Sequence, residues 1–349
     1  MLKHKNPFIS RRRSITATAS VLSVVVMSAL IPGVVSSSSA IGKPEVVTVG
    51  IALTPPKMVF LAPFIADAEG FFAKQNIQAK FAPMPDGLMT ELGVATGQIN
   101  FGFSSGTDPI STAAEGSPVK AIWSYSSKLD TVCIGAPGIT SPTDLIGKAV
   151  GSTGTGGFAY TQLNSCLSSA GVSVDQVKPI NMKRSQFVGA MTQGAIKAAV
   201  FHVDDAYTVL HAIPGTTILN NEYATQPLWW YGAVSVLDRY AKIHPYLITR
   251  FLTAMVLTDR WMVDPKNKAK VLAYGVKFTQ EDPAAVAAAY DFIIKGKLWE
   301  LNDGMPAESV NFTAAEMARL GEIDKVPAYT KVVDATYINT VLKKLGRVK

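Results

Sequence analysis

The chain has 349 residues, 48% of them hydrophobic and 17% charged, which excludes a disordered or collagen-like polymer and leaves room for a sizeable core and two domains. A formal charge of +7 would point to nucleic acid or an anionic membrane if it were spread over the surface. It is not spread: Lys3, Lys5, Arg11, Arg12 and Arg13 stand in the first forty residues with no acidic residue among them, so the remainder is close to neutral and a nucleic-acid partner is not expected.

Behind that basic front, residues 21–35 form an apolar run broken by Pro32-Gly33, too short for the roughly 20 apolar residues of a membrane span. Ser36-Ser37-Ser38-Ser39-Ala40 then offers the small residues a signal peptidase needs, and cleavage near Ala40 is expected. Residues 10–15 also resemble a twin-arginine export signal. With no cysteine near the cleavage point, the mature chain is expected free in its compartment, a periplasm where the cell has two membranes. Cys133 and Cys166 are the two cysteines, and export leaves either a disulfide or two buried thiols open. No paired Cys or His spacing argues for a metal, and no cofactor is called for.

Residues 46–52 are a β-branched run stopped by Thr54-Pro55-Pro56, read as a buried strand ending in a loop. A helix follows over Phe60, Phe64, Ala68 and Phe71, then a strand over residues 77–82. Leu88, Leu92 and Ala95 mark a short helix, and residues 99–103 a strand that opens into Ser104-Ser105-Gly106-Thr107-Asp108-Pro109. Thr107 or Asp108 is expected to cap a helix that Pro109 begins. Residues 119–125 form the next strand, ending at Tyr125.

The alternation restarts at Val132. Strands are expected at 132–134, 149–151, 178–181 and 198–201, and helices at 142–146, 158–170, 185–193 and 204–211. Strands alternating with helices predict open, largely parallel sheets in both blocks. Beyond Arg239 the pattern turns to helices, at 240–263, 266–278, 283–298 and 332–345, long enough to wrap back on the first block. That gives a signal at 1–40, a discontinuous first lobe at 41–130 and 236–349, and a second lobe at 131–235.

The loop from Gly151 to Gly157 joins a strand to a helix, where free backbone N–H groups favour an anion. It has neither the Gly-Lys-Ser/Thr of a phosphate loop nor the spacing of a dinucleotide fingerprint, and a tight turn explains its glycines equally well. The loop at residues 104–108 carries hydroxyls and orphan amides, against a reading as simple capping. Thr54 and Pro55 complete a third strand-end loop, and ligands of open α/β sheets lie outside such ends. His202, Asp204 and Asp205 are a compact titratable cluster. A His beside a carboxylate is the arrangement of a general base, but such acids more often cap a helix. Trp229-Trp230-Tyr231 offers an aromatic wall or core packing.

Four segments carry a resemblance: residues 63–72 (Pro-Phe-Ile-Ala-Asp-Ala-Glu-Gly-Phe-Phe), 97–102 (Gly-Gln-Ile-Asn-Phe-Gly), 116–121 (Gly-Ser-Pro-Val-Lys-Ala) and 141–151 (Ser-Pro-Thr-Asp-Leu-Ile-Gly-Lys-Ala-Val-Gly). In order and spacing the chain resembles the substrate-binding proteins of ABC importers of the sulfonate, nitrate and thiamine-pyrimidine precursor group. The resemblance implies a two-lobed type II periplasmic binding fold, each lobe a mostly parallel sheet flanked by helices and the lobes joined by two hinge crossovers. It also implies a monomer that closes on a small-molecule ligand and docks on an inner-membrane permease. Carried over by position, the resemblance implies ligand contacts from Thr54, Ser105, Thr107, Thr155 and Gly156; the loops, the titratable cluster and the aromatic run add Pro55, Ser104, Tyr125, Gly154, His202, Asp204 and Trp229 to the expected site. Many relatives carry Trp-Glu-Pro where this chain has His202-Val203-Asp204, which leaves the ligand class open. Some proteins of this fold are enzymes, so the alternative is a hydrolase or lyase, desulfinase-like, using His202 with Asp204 or Asp205.

Overall fold

The computed structural model describes residues 42–155 and 157–348; the expected signal at 1–40 and Gly156 lie outside the described residues. Ten strands run in chain order: β1 (Glu45–Ile51), β2 (Ile77–Pro83), β3 (Phe101–Ser105), β4 (Val119–Trp123), β5 (Thr131–Gly135), β6 (Ala149–Ser152), β7 (Lys178–Asn181), β8 (Ala198–His202), β9 (Thr217–Asn220) and β10 (Gly232–Leu237). They form a five-stranded sheet in the order β2-β1-β3-β10-β4, a three-stranded sheet β8-β5-β9 and a pair β6-β7.

In the large sheet β1 runs parallel to both β2 and β3, with Val49 opposite Phe81 on one side and Phe101 on the other. β2 alternates exposed and partly buried residues and sits at the edge, whereas all five residues of β3 are buried, as expected of a strand covered on both faces. Phe101 stacks on Phe251 at 3.6 Å between ring centres, pinning helix Pro245–Met262 to the sheet. The helices that follow it contribute Val271, Val286, Ile293, Val310, Met317 and Ile338 to the same core.

The second block builds its core by alternation. Val132 and Ile134 of β5 meet Ala199 and Phe201 of β8 in one cluster, while Cys133 meets Ala198 and Val200 in another on the opposite face, the period-two geometry of a strand covered on both sides. Burial of each such side chain stabilises by about 1.5–3 kcal/mol for the larger residues. Cys133 and Cys166 are both buried free thiols in the second of these clusters.

The expectation of mostly parallel sheets needs correction. β10 lies antiparallel between β3 and β4, and β5 is antiparallel to both β8 and β9; only β6 and β7 are parallel in the second block. β10 escaped the sequence reading because Gly-Ala-Val-Ser-Val-Leu is short and starts on a glycine. The sheet thereby takes in Gly232 to Ser235, residues that the expected boundary gave to the second lobe. Helix Ala307–Arg319 was also unforeseen, although Val310, Ala314 and Met317 are buried at helical spacing. No helix among the described residues is long and apolar enough to cross a membrane.

Candidate functional site

The carboxyl ends of β1 and β3 face the ends of β6 and β8, and the loops leaving them enclose an outer cleft of about 340 Å³ and an inner cavity of about 40 Å³. Leu53, Pro85 and Arg184 line both. The inner cavity as it stands admits only a few non-hydrogen atoms, so an organic solute must part its walls or extend into the cleft.

The β1 loop supplies Thr54 and Pro55 to the cleft, joined by a cis peptide. Two residues later Lys57 is buried, 2.6 Å from Asp205 and 2.6 Å from Glu281. Burial alone would discharge it, but Asp204, Asp205 and Glu281 overcome that cost and hold its pKa above the ordinary lysine value. Met58 donates its backbone N–H to Asp204 Oδ2 at 3.0 Å. Asp204 and Asp205 thus tie the start of helix Val203–Ala212 to the β1 loop.

The β3 loop is knotted by its own side chains. Helix Thr107–Ala114 begins at Thr107 with Gly106 as N-cap, so neither Thr107 nor Asp108 caps a helix begun by Pro109. Instead Asp108 turns back, and its Oδ2 accepts from the N–H and the hydroxyl of Ser105, each at 2.9 Å. The Ser105 and Thr107 hydroxyls lie 2.5 Å apart. Gly106 explains the early start: its N–H donates to the Tyr231 carbonyl, and a Cβ there would meet the Trp230 carbonyl at 2.5 Å. Burial pushes the Asp108 carboxyl up to about 7, against those two bonds. Ser104 points away from the cavity and donates to Glu91 at 2.6 Å, whose carboxyl burial raises to about 8. Tyr125 is buried behind the loop and donates to the Ser104 carbonyl at 2.9 Å.

In the glycine-rich loop it is Thr153 that lines the inner cavity. Gly154, with φ +106°, makes the turn, Thr155 is exposed, and Gly156 lies outside the described residues. Helix Phe158–Ser168 starts from Gly157 without a side-chain cap and sets Phe158 into the cavity wall.

His202 ends β8, fully buried, with Nδ1 2.8 Å from Asp130 Oδ1. This corrects the expected pairing: its carboxylate partner is Asp130, because the helix turning at Val203 carries Asp204 and Asp205 round to Lys57 and Met58. Burial lowers the His202 pKa and nearby Arg184 lowers it further, outweighing Asp130, so the ring is neutral at pH 7. Its Nε2 has no partner among the described residues. Around it stand Phe60 at 6.2 Å, Phe158 at 6.3 Å and Tyr231 at 6.0 Å between ring centres. Of Trp229-Trp230-Tyr231 only Tyr231 reaches the cavity; Trp229 is buried in the large core.

The structure therefore brings Thr54, Pro55, Ser105 and His202 to the cleft or cavity wall, with Thr107 behind Ser105. Ser104, Tyr125, Asp204 and Trp229 sit behind it in supporting contacts or in the core. Sequence reasoning missed Phe60, Asp130, Phe158 and Arg184, and it offered Asp108 only within the 104–108 loop and Tyr231 only within the aromatic run. Arg184 donates to the Val200 carbonyl at 3.1 Å and lies 5.5 Å from the Phe158 ring centre. Its only sequence signal is a basic pair, Lys183-Arg184, between a strand and a helix.

The NMT1/THI5-like family model matches residues 58–266. No curated protein matches the sequence. Among solved structures, the alkanesulfonate-binding protein SsuA from Xanthomonas axonopodis pv. citri, bound to MOPS, superposes with a TM-score of 0.68 at 15% identity over 83% of this chain and 98% of that one. The periplasmic nitrate-binding protein NrtA from Synechocystis PCC 6803 gives 0.71 at 14% identity over 87% and 90%. A DSZB variant in complex with biphenyl-2-sulfinic acid gives 0.62 at 12% identity over 86% and 99%. The fold is the α/β fold of periplasmic binding proteins.

Proposed function

This chain belongs to the NMT1/THI5-like family, and from that premise we propose that it is the solute-binding component of an ABC import system. It captures a small anionic or heteroaromatic organic solute by closing two lobes over it. The observation that carries this reading is the shared wall of the inner cavity: Phe60, Ser105 and Asp108 come from the block of the large sheet, Thr153, Phe158, Arg184 and His202 from the block of the smaller ones, and Tyr231 from the crossover that leads back to the large sheet. A solute touching both halves stabilises the conformation in which they meet. The chain crosses between the blocks twice, at residues 124–130 and 221–231, as a hinge requires. The two lobes are accordingly the large-sheet block with the C-terminal helices and the residues between the crossovers.

The neighbours named for alkanesulfonate and nitrate support a small anion as cargo, as does Arg184 at the junction of cleft and cavity. The reading includes export through the N-terminal signal to the periplasm and delivery, as a monomer, to an inner-membrane permease. A thermal-shift screen across sulfonates, carboxylates, nitrate and heteroaromatic acids tests it, because a ligand that binds the native state raises the melting temperature. At least one class is expected to raise it by several degrees with the solute recovered unchanged. A second reading, a hydrolase or lyase, takes its support from the buried Asp130–His202 pair and the DSZB likeness; turnover lost in His202→Ala would favour it.

A further inference from the structure

The wall of the inner cavity is made by residues three of which carry a buried polar atom with no partner among the described residues. Asp108 spends Oδ2 on Ser105, and its buried Oδ1 has no partner among the described residues. His202, a residue of the wall, gives Nδ1 to Asp130, which lies outside it, and its Nε2 is buried with no partner among the described residues. A carboxylate accepts, so Asp130 keeps the proton on Nδ1 and leaves Nε2 with a lone pair. Arg184 adds an unpaired Nε–H on the same wall. Buried polar groups are nearly always satisfied, and one that is not calls for a partner. The remaining wall is flat and aromatic, made by Phe60, Phe158 and Tyr231.

We infer that the cavity, its walls parted toward the cleft, selects a planar ring whose edge bears hydrogen-bond donors, N–H or O–H, together with an acidic substituent for Arg184, and that His202 imposes the donor requirement. The inference rests on the solute-binding reading and sharpens it. A bare anion such as nitrate has only acceptors, which pair with Arg184 but leave His202 Nε2 and an ionised Asp108 Oδ1 desolvated and facing like polarity. An alkanesulfonate has the same defect and no ring for the aromatic walls. A site built to bond a donor discriminates strongly against the analogue that lacks it, because its own polar groups are then left unpaired.

The test compares probes that differ by one donor: 4-aminobenzoate against benzoate, and sulfanilate against benzenesulfonate, with nitrate and ethanesulfonate as anions without a ring. Isothermal titration at pH 7.5 is expected to give the amino member of each pair a Kd at least tenfold lower. His202→Phe keeps an aromatic ring and should bring the ratio within each pair to about one, whereas His202→Gln, which offers a carbonyl acceptor, should restore part of it. Melting temperatures of both variants show whether they fold, and if His202→Phe does not, the ratio in Asp108→Leu, expected to fall toward one, decides. Equal Kd values within the pairs, or a tight site for nitrate or ethanesulfonate alone, would overturn the inference and leave the solute-binding reading standing. Silence from every probe also overturns it, while the wider thermal-shift screen then judges the solute-binding reading separately.

Discussion

The two halves of the cavity are built on opposite plans. On the large-sheet side, the hydroxyls of Ser104, Ser105 and Thr107 are engaged within a few residues or with Glu91, so the loop is set before any solute arrives. On the other side, Arg184 and His202 each keep a buried nitrogen unpaired. The difference teaches that one half supplies a preset shape with one unpaired acceptor on the wall, Asp108 Oδ1, and the other supplies the unpaired nitrogens that a solute answers. Lys57 is the charged fastening between the halves, beside the Met58–Asp204 and Thr161–Glu322 hydrogen bonds.

Removing the fastening should have the largest effect. Lys57→Met leaves Asp204, Asp205 and Glu281 facing one another in a largely buried site, and breaking such a group by deleting one partner costs about 3–5 kcal/mol. Urea unfolding is expected to show a loss of that order; a loss under about 1 kcal/mol would mean that the remaining contacts between the halves, the Met58–Asp204 bond among them, hold them without Lys57. A smaller effect should follow from crowding the preset half. A Cβ on Gly87 would stand 1.8 Å from Asp108 Oδ2, so Gly87→Ala must displace the carboxylate that orders Ser105. About 1–3 kcal/mol of stability should be lost and solute affinity with it, both measurable in one denaturation and titration series.

The comparison also predicts how stability responds to pH. Burial raises Asp108 to about 7 and Glu91 to about 8 on the preset side, and Glu222 to about 8 near β5. Folded carboxyls with raised pKa values hold protons that the unfolded chain has released. Their contribution is complete below the ordinary carboxyl range, near pH 4, and is lost as pH rises through 7 to 8. His202 has the opposite sign: its lowered pKa makes the folded state resist a proton, costing stability below about pH 6.5. The melting temperature should therefore fall between pH 6.5 and 8.5, and Glu91→Gln should flatten that slope. The smallest effect on stability belongs to Arg184→Ala, which should unfold within about 1 kcal/mol of the parent chain, as substitutions away from packed cores do, while binding an acidic solute at least tenfold more weakly.

These contrasts also mark what was legible in the sequence. The strand-end loops could be read because short, largely apolar runs stop at Thr54-Pro55, Ser104-Ser105 and Gly151-Ser152, where periodicity gives way to turn residues. β7 was found to the residue by its flanking turns, but β10 was hidden, since a six-residue strand inserted between β3 and β4 carries no long-range mark. His202 stood out as the imidazole of a compact titratable cluster at a strand end. Its partner did not, because Asp130 is 72 positions away and is delivered only by the β5–β8 register that sets Thr131 opposite His202. Asp204 and Asp205 appeared closer in sequence, and the first helical turn carried them to another loop. Trp229 looked like a ligand wall because aromatic residues suit pockets and cores alike, and only packing separates Trp229 from Tyr231.

The most direct test of the central claim is titration calorimetry of the parent chain, Gly87→Ala and Arg184→Ala with the solute that most raises the melting temperature, followed by mass spectrometry of the recovered solute. The claim predicts one site per chain, affinity reduced at least tenfold by a change in either half, and a chemically unchanged solute. Consumption of the solute, or full affinity in both variants, would contradict it.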